Sequence, residues 1–321
     1  MIPLVSAHAP LGTGDNESID KATVIPDPTK SWALFSSLNS DGDAQYYTFN
    51  ITGKYELHVT MYKSMRPEDA SFTPRLVIIG PDVASQGDVP SKITVPSGLN
   101  VQLVTPIEPK PTYEPFSPSA FIGLADETLD NPTPGRYYLV VYEQSDAPSG
   151  GNYGLAIGDR ETYTIDEWIL LPFNLMNIYK WEGQSIVSVL APMIVSLITG
   201  FVYVIWRFRK ESKRNLTAWL GAIAGTSFVG TAVTTLYQML LGALHVTLGA
   251  DSLITLVFII IQLALGLLTI RLSLRLDKKL NVKRRVYYVI LGVAALFVWA
   301  GLLIGPIIAI MASVIPSTLK K

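Results

Sequence analysis

The chain's stock of chemically able side chains is small. It has three histidines, His8, His58 and His245, and no cysteine among 321 residues. Without cysteine there are no disulfides, no thiolate nucleophile and no thiolate metal site. Imidazole and thioether ligands suit copper. If processing after Val5-Ser6-Ala7 exposed His8, its amino group and ring would form a copper site, with His58 and Met61 as helpers. His58 and Met61 differ by three positions, however, so a regular strand turns them to opposite faces. Asn39, Asp41 and Asp43, grouped around Gly42, offer oxygens of the kind calcium takes. Their alternative role is an ordinary Asp-Gly turn. G-x-S-x-G, P-loop and H-E-x-x-H patterns are absent from the sequence, so neither an enzyme nor a cofactor is expected.

A second group of polar residues lies in an apolar run. Ser227, Thr231, Thr234 and Gln238 are spaced by four, three and four positions, which places them on one helical face. Gly221 and Gly225 precede them as a G-x-x-x-G pair, which permits close helix approach. The stripe serves either hydrogen bonds between helices or the lining of a pore in an oligomer, and Gln262 could face it. The apolar runs around it contain no Asp, Glu, Lys, Arg or His, which argues against proton relays and coupled transport.

These residues must be positioned by membrane-crossing helices. Residues 186–206 carry no charge, and about 20 apolar residues cross a hydrocarbon core of roughly 30 Å. Further spans are predicted at 216–244, 253–270 and 286–314, the last kinked by Pro306. Segment 207–215 carries five basic residues and one acidic, and segment 271–285 carries seven and one. The positive-inside rule makes both cytoplasmic. The expected topology is then out–in–out–in–out in the cell membrane, with the N-terminal domain and the C-terminus outside.

The half before the spans has another character. Up to Gly183 there are 23 acidic and 11 basic residues; from Gln184 onward there are 3 and 14. Residues 1–30 read as an extended lead-in. Short β-branched and aromatic runs follow at 31–36, 45–51, 54–62, 75–79, 93–95, 101–105, 120–124, 136–143 and 152–157. In the third run Tyr55, Leu57, Val59 and Met61 alternate with polar neighbours, as a half-buried strand requires. Residues 106–118 hold five prolines and read as a loop. Asn16-Glu17-Ser18 and Asn50-Ile51-Thr52 fit the N-glycosylation acceptor pattern. Residues 161–184 form an aromatic, amphipathic linker: Thr164 to Glu167 is a capping-box pattern, and Trp168, Tyr179 and Trp181 suit a membrane interface.

The residues Asp43-Ala44-Gln45-Tyr46-Tyr47-Thr48-Phe49, then Tyr55 through Met61, then Pro74 through Asp82, then Pro134 through Tyr142 and Gly151 through Ile157 form an ordered set. In this order the set resembles the bacterial pre-peptidase C-terminal domain, over about residues 31–158. The resemblance implies a jelly-roll-like β-sandwich used as a noncatalytic accessory or binding module. A long Pro-rich insertion and the lack of a protease domain depart from that family.

The expected fold is an all-β jelly-roll-like sandwich at 31–160, followed by an all-α four-helix transmembrane bundle at 185–321. Three functions are open. The first is a noncatalytic membrane protein whose external sandwich binds a partner, glycan or envelope component. The second is an oligomeric, ectodomain-gated channel lined by the second span; the third is a copper-binding membrane protein using His8. The expected partners are the lipid bilayer and further copies or a membrane complex, with no role for nucleic acid.

Overall fold

The computed structural model describes residues 8–40, 44–85, 87–144, 148–211, 216–275 and 281–315. The chain divides into two compact units. One comprises Met1–Glu114, Ala120–Glu167 and Asn177–Gly183; the other comprises Pro115–Ser119, Trp168–Met176 and Gln184–Lys321.

The first unit is a two-sheet β structure. Its strands are β1 (Ala9–Leu11), β2 (Thr23–Val24), β3 (Trp32–Leu38), β4 (Gln45–Ile51), β5 (Glu56–Ser64), β6 (Pro74–Gly80), β7 (Asn100–Leu103), β8 (Lys110–Glu114), β9 (Ser119–Asp130), β10 (Gly135–Glu143) and β11 (Gly151–Ile157). One sheet has the order β1-β3-β11-β5-β9-β8, the other β2-β4-β10-β6-β7. The alternation in β5 sets its faces: Leu57, Val59 and Met61 enter the core between the sheets, together with Phe49, Tyr137 and Leu155. A bulge between Met61 and Tyr62 shifts the register against β9.

Strand β10 is apolar on both faces for a different reason. Tyr137, Leu139 and Val141 face the main core, while Tyr138, Val140 and Tyr142 join a second cluster with Val77, Ile79 and Ile93. Loop residues Val95 and Leu99 and lead-in residues Ile19 and Ala22 pack against that cluster, so the middle of this sheet, at β10 and β6, is covered on both sides. Inside the main core, Tyr47 and Tyr153 share a hydroxyl contact of 2.6 Å, and Tyr153 donates to Gln45 Oε1 at 2.5 Å.

Three segments differ from the sequence expectation. The lead-in supplies two edge strands, β1 and β2, each paired parallel to its neighbour. Residues 93–95 are not a strand, although Ile93 is buried. The Pro-rich segment contains β8, at a sheet edge where its proline breaks no central ladder.

The second unit is helical. Helix α1 (Ile165–Trp181) starts at the capping box: Thr164 Oγ1 accepts from Glu167 N at 3.4 Å, and Glu167 accepts from Thr164 N at 2.9 Å. Only its middle, Trp168–Met176, belongs to the helical unit. Then come α2 (Ile186–Glu211), α3 (Leu216–Ala243), α4 (Ser252–Leu274), α5 (Val282–Phe297) and α6 (Ile304–Val314). Among the described residues, three helices, α2 to α4, are long and apolar enough to cross a membrane.

The predicted fourth span is not one helix. Residues 298–303 are a turn, and α6 returns along α5. Arg285 donates to Ser313 O, Tyr288 shares a cluster with Ala312, and a Cβ on Gly292 would lie 3.1 Å from Pro306 O and 3.3 Å from Ala309 Cβ. As one index rises the other falls, so α5 and α6 form an antiparallel hairpin. Pro306 is not the cause. It sits in the first turn of α6, where a missing N–H leaves no hydrogen bond unmade.

Candidate functional site

The hairpin tip is where the helical unit places non-helical backbone among apolar helices. Trp299, Gly301 and Leu302 have φ of 53°, 74° and 55°. For Trp and Leu this left-handed region costs about 1–3 kcal/mol each and persists only where surroundings enforce it. The surroundings are specific. Thr231 Oγ1 accepts from Gly301 N at 2.7 Å, and Gln262 Nε2 donates to Val298 O at 2.8 Å. Trp299 Nε1 donates to Trp168 O at 2.9 Å, and its ring packs 4.5 Å from that of Trp168 and 5.4 Å from Phe258. A Cβ on Gly301 would come within 2.6 Å of Ser227 Oγ, so glycine is required by both φ and space. Backbone groups freed from a helix in apolar surroundings need such partners.

The rest of the stripe on α3 is likewise spent inside the unit. Gln238 and Gln184 exchange two amide hydrogen bonds, each 2.9 Å. Ser227 donates to Ala224 O, Thr231 to Ser227 O and Thr234 to Gly230 O, at 2.7, 3.2 and 3.0 Å. Thr235 adds a contact to Gln262 Oε1 at 3.4 Å. Ser227, Gln238 and Gln262 are buried. The glycine pair fixes the approach of the helices. A Cβ on Gly225 would meet Gly266 O of α4 at 2.8 Å, and Gly221 lies under Tyr288 and Ser273. Sequence spacing groups the stripe but does not show the hairpin tip that it holds. Gly301, inside an otherwise apolar run, is the one residue there that hints at a turn.

The histidines lie in the β unit. His58 Nε2 is 2.6 Å from Asp126 Oδ1 and Nδ1 is 3.3 Å from Asp159 Oδ1. Partial burial works against the charged ring, but the two carboxylates outweigh it and raise the His58 pKa. Met61 is buried in the core and not beside His58. His8 Nδ1 lies 2.6 Å from Ser31 Oγ. Desolvation lowers its pKa to about 4, with Asp159 opposing and His58 reinforcing. No group of three or more His, Asp or Glu residues fit to hold a metal occurs among the described residues. Asn39 Nδ2 contacts Glu17 Oε1 at 3.4 Å; Asp41 and Asp43 lie outside the described residues.

The aromatic residues expected at a membrane interface are packed within protein. Trp181 Nε1 donates to Ser36 O at 2.9 Å, and its ring meets Phe35, Tyr62 and Phe121 at 5.2 to 6.2 Å. Tyr179 is buried, and Trp168 serves the hairpin tip. Of the two acceptor asparagines, Asn16 is 1% exposed and donates to Tyr46 O at 3.1 Å, while Asn50 is exposed.

Asn50 also lines a cleft of ≈ 560 Å³ on the outer face of the β2-β4-β10 sheet. Its cross-strand partner is Arg136. Asp20, Thr48 and Thr94 add polar groups, and Val24, Pro26 and Tyr138 add apolar ones. Sequence reading did not find this cleft, because the lead-in and the 94–96 loop that wall it have no periodic signal.

No family model and no curated protein matches the chain. Among solved structures it is similar to the pre-peptidase C-terminal domain of a collagenase from Bacillus anthracis. That match has 16% identity and a TM-score of 0.23 and covers 42% of this chain and 93% of the other. A structure named pT26-6p is 10% identical with a TM-score of 0.14, covering 88% of this chain and 49% of that one. Likeness at these scores carries no argument about activity.

Proposed function

We propose that the chain is a noncatalytic integral membrane protein whose β unit binds a partner, glycan or envelope component outside the cell membrane, with the helices as anchor and assembly module. The observation that carries this reading is how the helical unit uses its polar side chains. Thr231, Gln238 and Gln262 each bond to groups of the same unit, which supports packing over the lining of a pore. The basic segments 207–215 and 271–285 support an inward-facing placement of those ends. With three crossings and a hairpin that enters and leaves at one end, α6 would finish on the cytoplasmic side, and not outside as a fourth crossing implies. The ligand surface we assign is the cleft of Asn50 and Arg136, whose mixed polar and apolar walls suit a sugar or an extended peptide.

The test is conductance and particle symmetry of the full chain in lipid. No ionic current, and no ring with α3 facing its axis, is expected. A conducting ring with Ser227 and Thr231 at its axis would replace the anchor reading with the channel.

A further inference from the structure

At the end of the helical unit opposite the hairpin tip, α4 and α5 form a groove of ≈ 360 Å³. Leu268, Arg271, Leu272 and Arg275 line it from α4, at the spacing of one helical face. Arg284, Tyr287, Ile290 and Leu291 line it from α5. The two kinds of side chain are segregated by position. Arg271 and Arg275 lie at the last turn of α4, and Arg284 lies in the first turn of α5. The leucines and Ile290 continue toward the middle of both helices. Arg285, next to this set, is spent on Ser313 O. Among the described residues no acidic side chain lines the groove. A compact anion beside an apolar trough is the shape of a phospholipid, with phosphate among the arginines and an acyl chain along Leu268, Leu272, Ile290 and Leu291. Tyr287 stands between the two zones and presents a ring and a hydroxyl, as side chains at a membrane boundary do.

We propose that this groove is a binding site for one anionic phospholipid, held by Arg271, Arg275 and Arg284 through its phosphate. Three guanidiniums give more than the general attraction of a basic loop, because all three line one groove whose other walls are Tyr287 and aliphatic side chains. Lysine would supply charge, whereas arginine can also grip two phosphate oxygens at once. The proposal rests on the reading of the helical unit as membrane-embedded. Flotation of the full chain with phosphatidylcholine liposomes tests that reading separately.

The experiment is native mass spectrometry of the detergent-purified full chain with dioleoylphosphatidylglycerol or dioleoylphosphatidylcholine. One phosphatidylglycerol per chain should be retained at about tenfold lower lipid concentration than phosphatidylcholine. Combining R271Q, R275Q and R284Q should remove that preference, and R209Q, on the other basic segment, should leave it. Should the triple variant fail to elute as folded protein, R275Q alone, at an exposed position, should weaken the preference. L268S should weaken retention of both lipids. Equal retention of the two lipids, or a loss with R209Q as large as with R275Q, overturns the site. Displacement of phosphatidylglycerol by inorganic phosphate, with L268S without effect, would show an anion site and overturn the lipid.

Discussion

The pKa values of His58 and His8 are displaced in opposite directions although both lie in the β unit. The folded pKa of His58 is raised above 6.5 by Asp126 and Asp159. Its ion pairs therefore stabilise fully below pH 6.5 and are lost as pH rises through the folded value. H58Q should lower the melting temperature in mild acid and have little effect in alkali, and the effect should be small because the carboxylates are exposed. His8, held down at about 4, contributes stability above pH 6.5 that is lost as pH falls toward 4. H8Q should therefore flatten the acid limb of the melting profile. Equal pH profiles for the two variants would contradict these environments. At the hairpin tip, T231V leaves Gly301 N without an acceptor and should cost about 1–2 kcal/mol, whereas T231S should restore most of it. Thermal unfolding in detergent compares the two directly.

At the level of elements, sequence pattern shows strands and helices best where burial is one-sided or long. The alternation Leu57, Val59, Met61 marks β5 because its other face carries His58 and Thr60. The continuous run in β10 reads as strand because Tyr138, Val140 and Tyr142 are also covered. Strands β1 and β2 were illegible, since each gains its place from parallel pairing with a distant strand and not from local pattern. The α5–α6 turn was illegible for a different reason. Trp299, Ala300 and Leu302 are apolar, so hydropathy continues unbroken across residues that change direction. The close approach of α3 and α4 at Gly225 and Gly266 gives an element-scale prediction. G225L inserts a branched side chain where a Cβ already meets Gly266 O at 2.8 Å. It should separate the helices and lower the melting temperature more than T231V does. A smaller loss would show that α4 can shift to accommodate it.

For the whole molecule, the absence of cysteine makes topology directly measurable. Single cysteines at Asn50, Lys283 and Val314, each exposed, report three points. In sealed cells N50C should react with a membrane-impermeant maleimide. K283C and V314C should both react only after permeabilisation. Reaction of V314C together with N50C would restore a fourth crossing and refute the hairpin in the membrane. The hairpin also changes what insertion demands. A crossing helix must carry one flank through the hydrocarbon, and Lys or Arg at its centre costs about 2.5–3.5 kcal/mol each. Lys283, Arg284 and Arg285 stand at one end of α5, and residues 286–315 bear no charge. Because α6 returns to the level of Arg285, the start of α5 and the end of α6 lie at one end of the pair, and the proposed placement asks no basic residue of 283–285 to cross. On the proposed membrane placement, this segment would enter the bilayer from its basic side as a closed pair of helices, packed against α3 and α4.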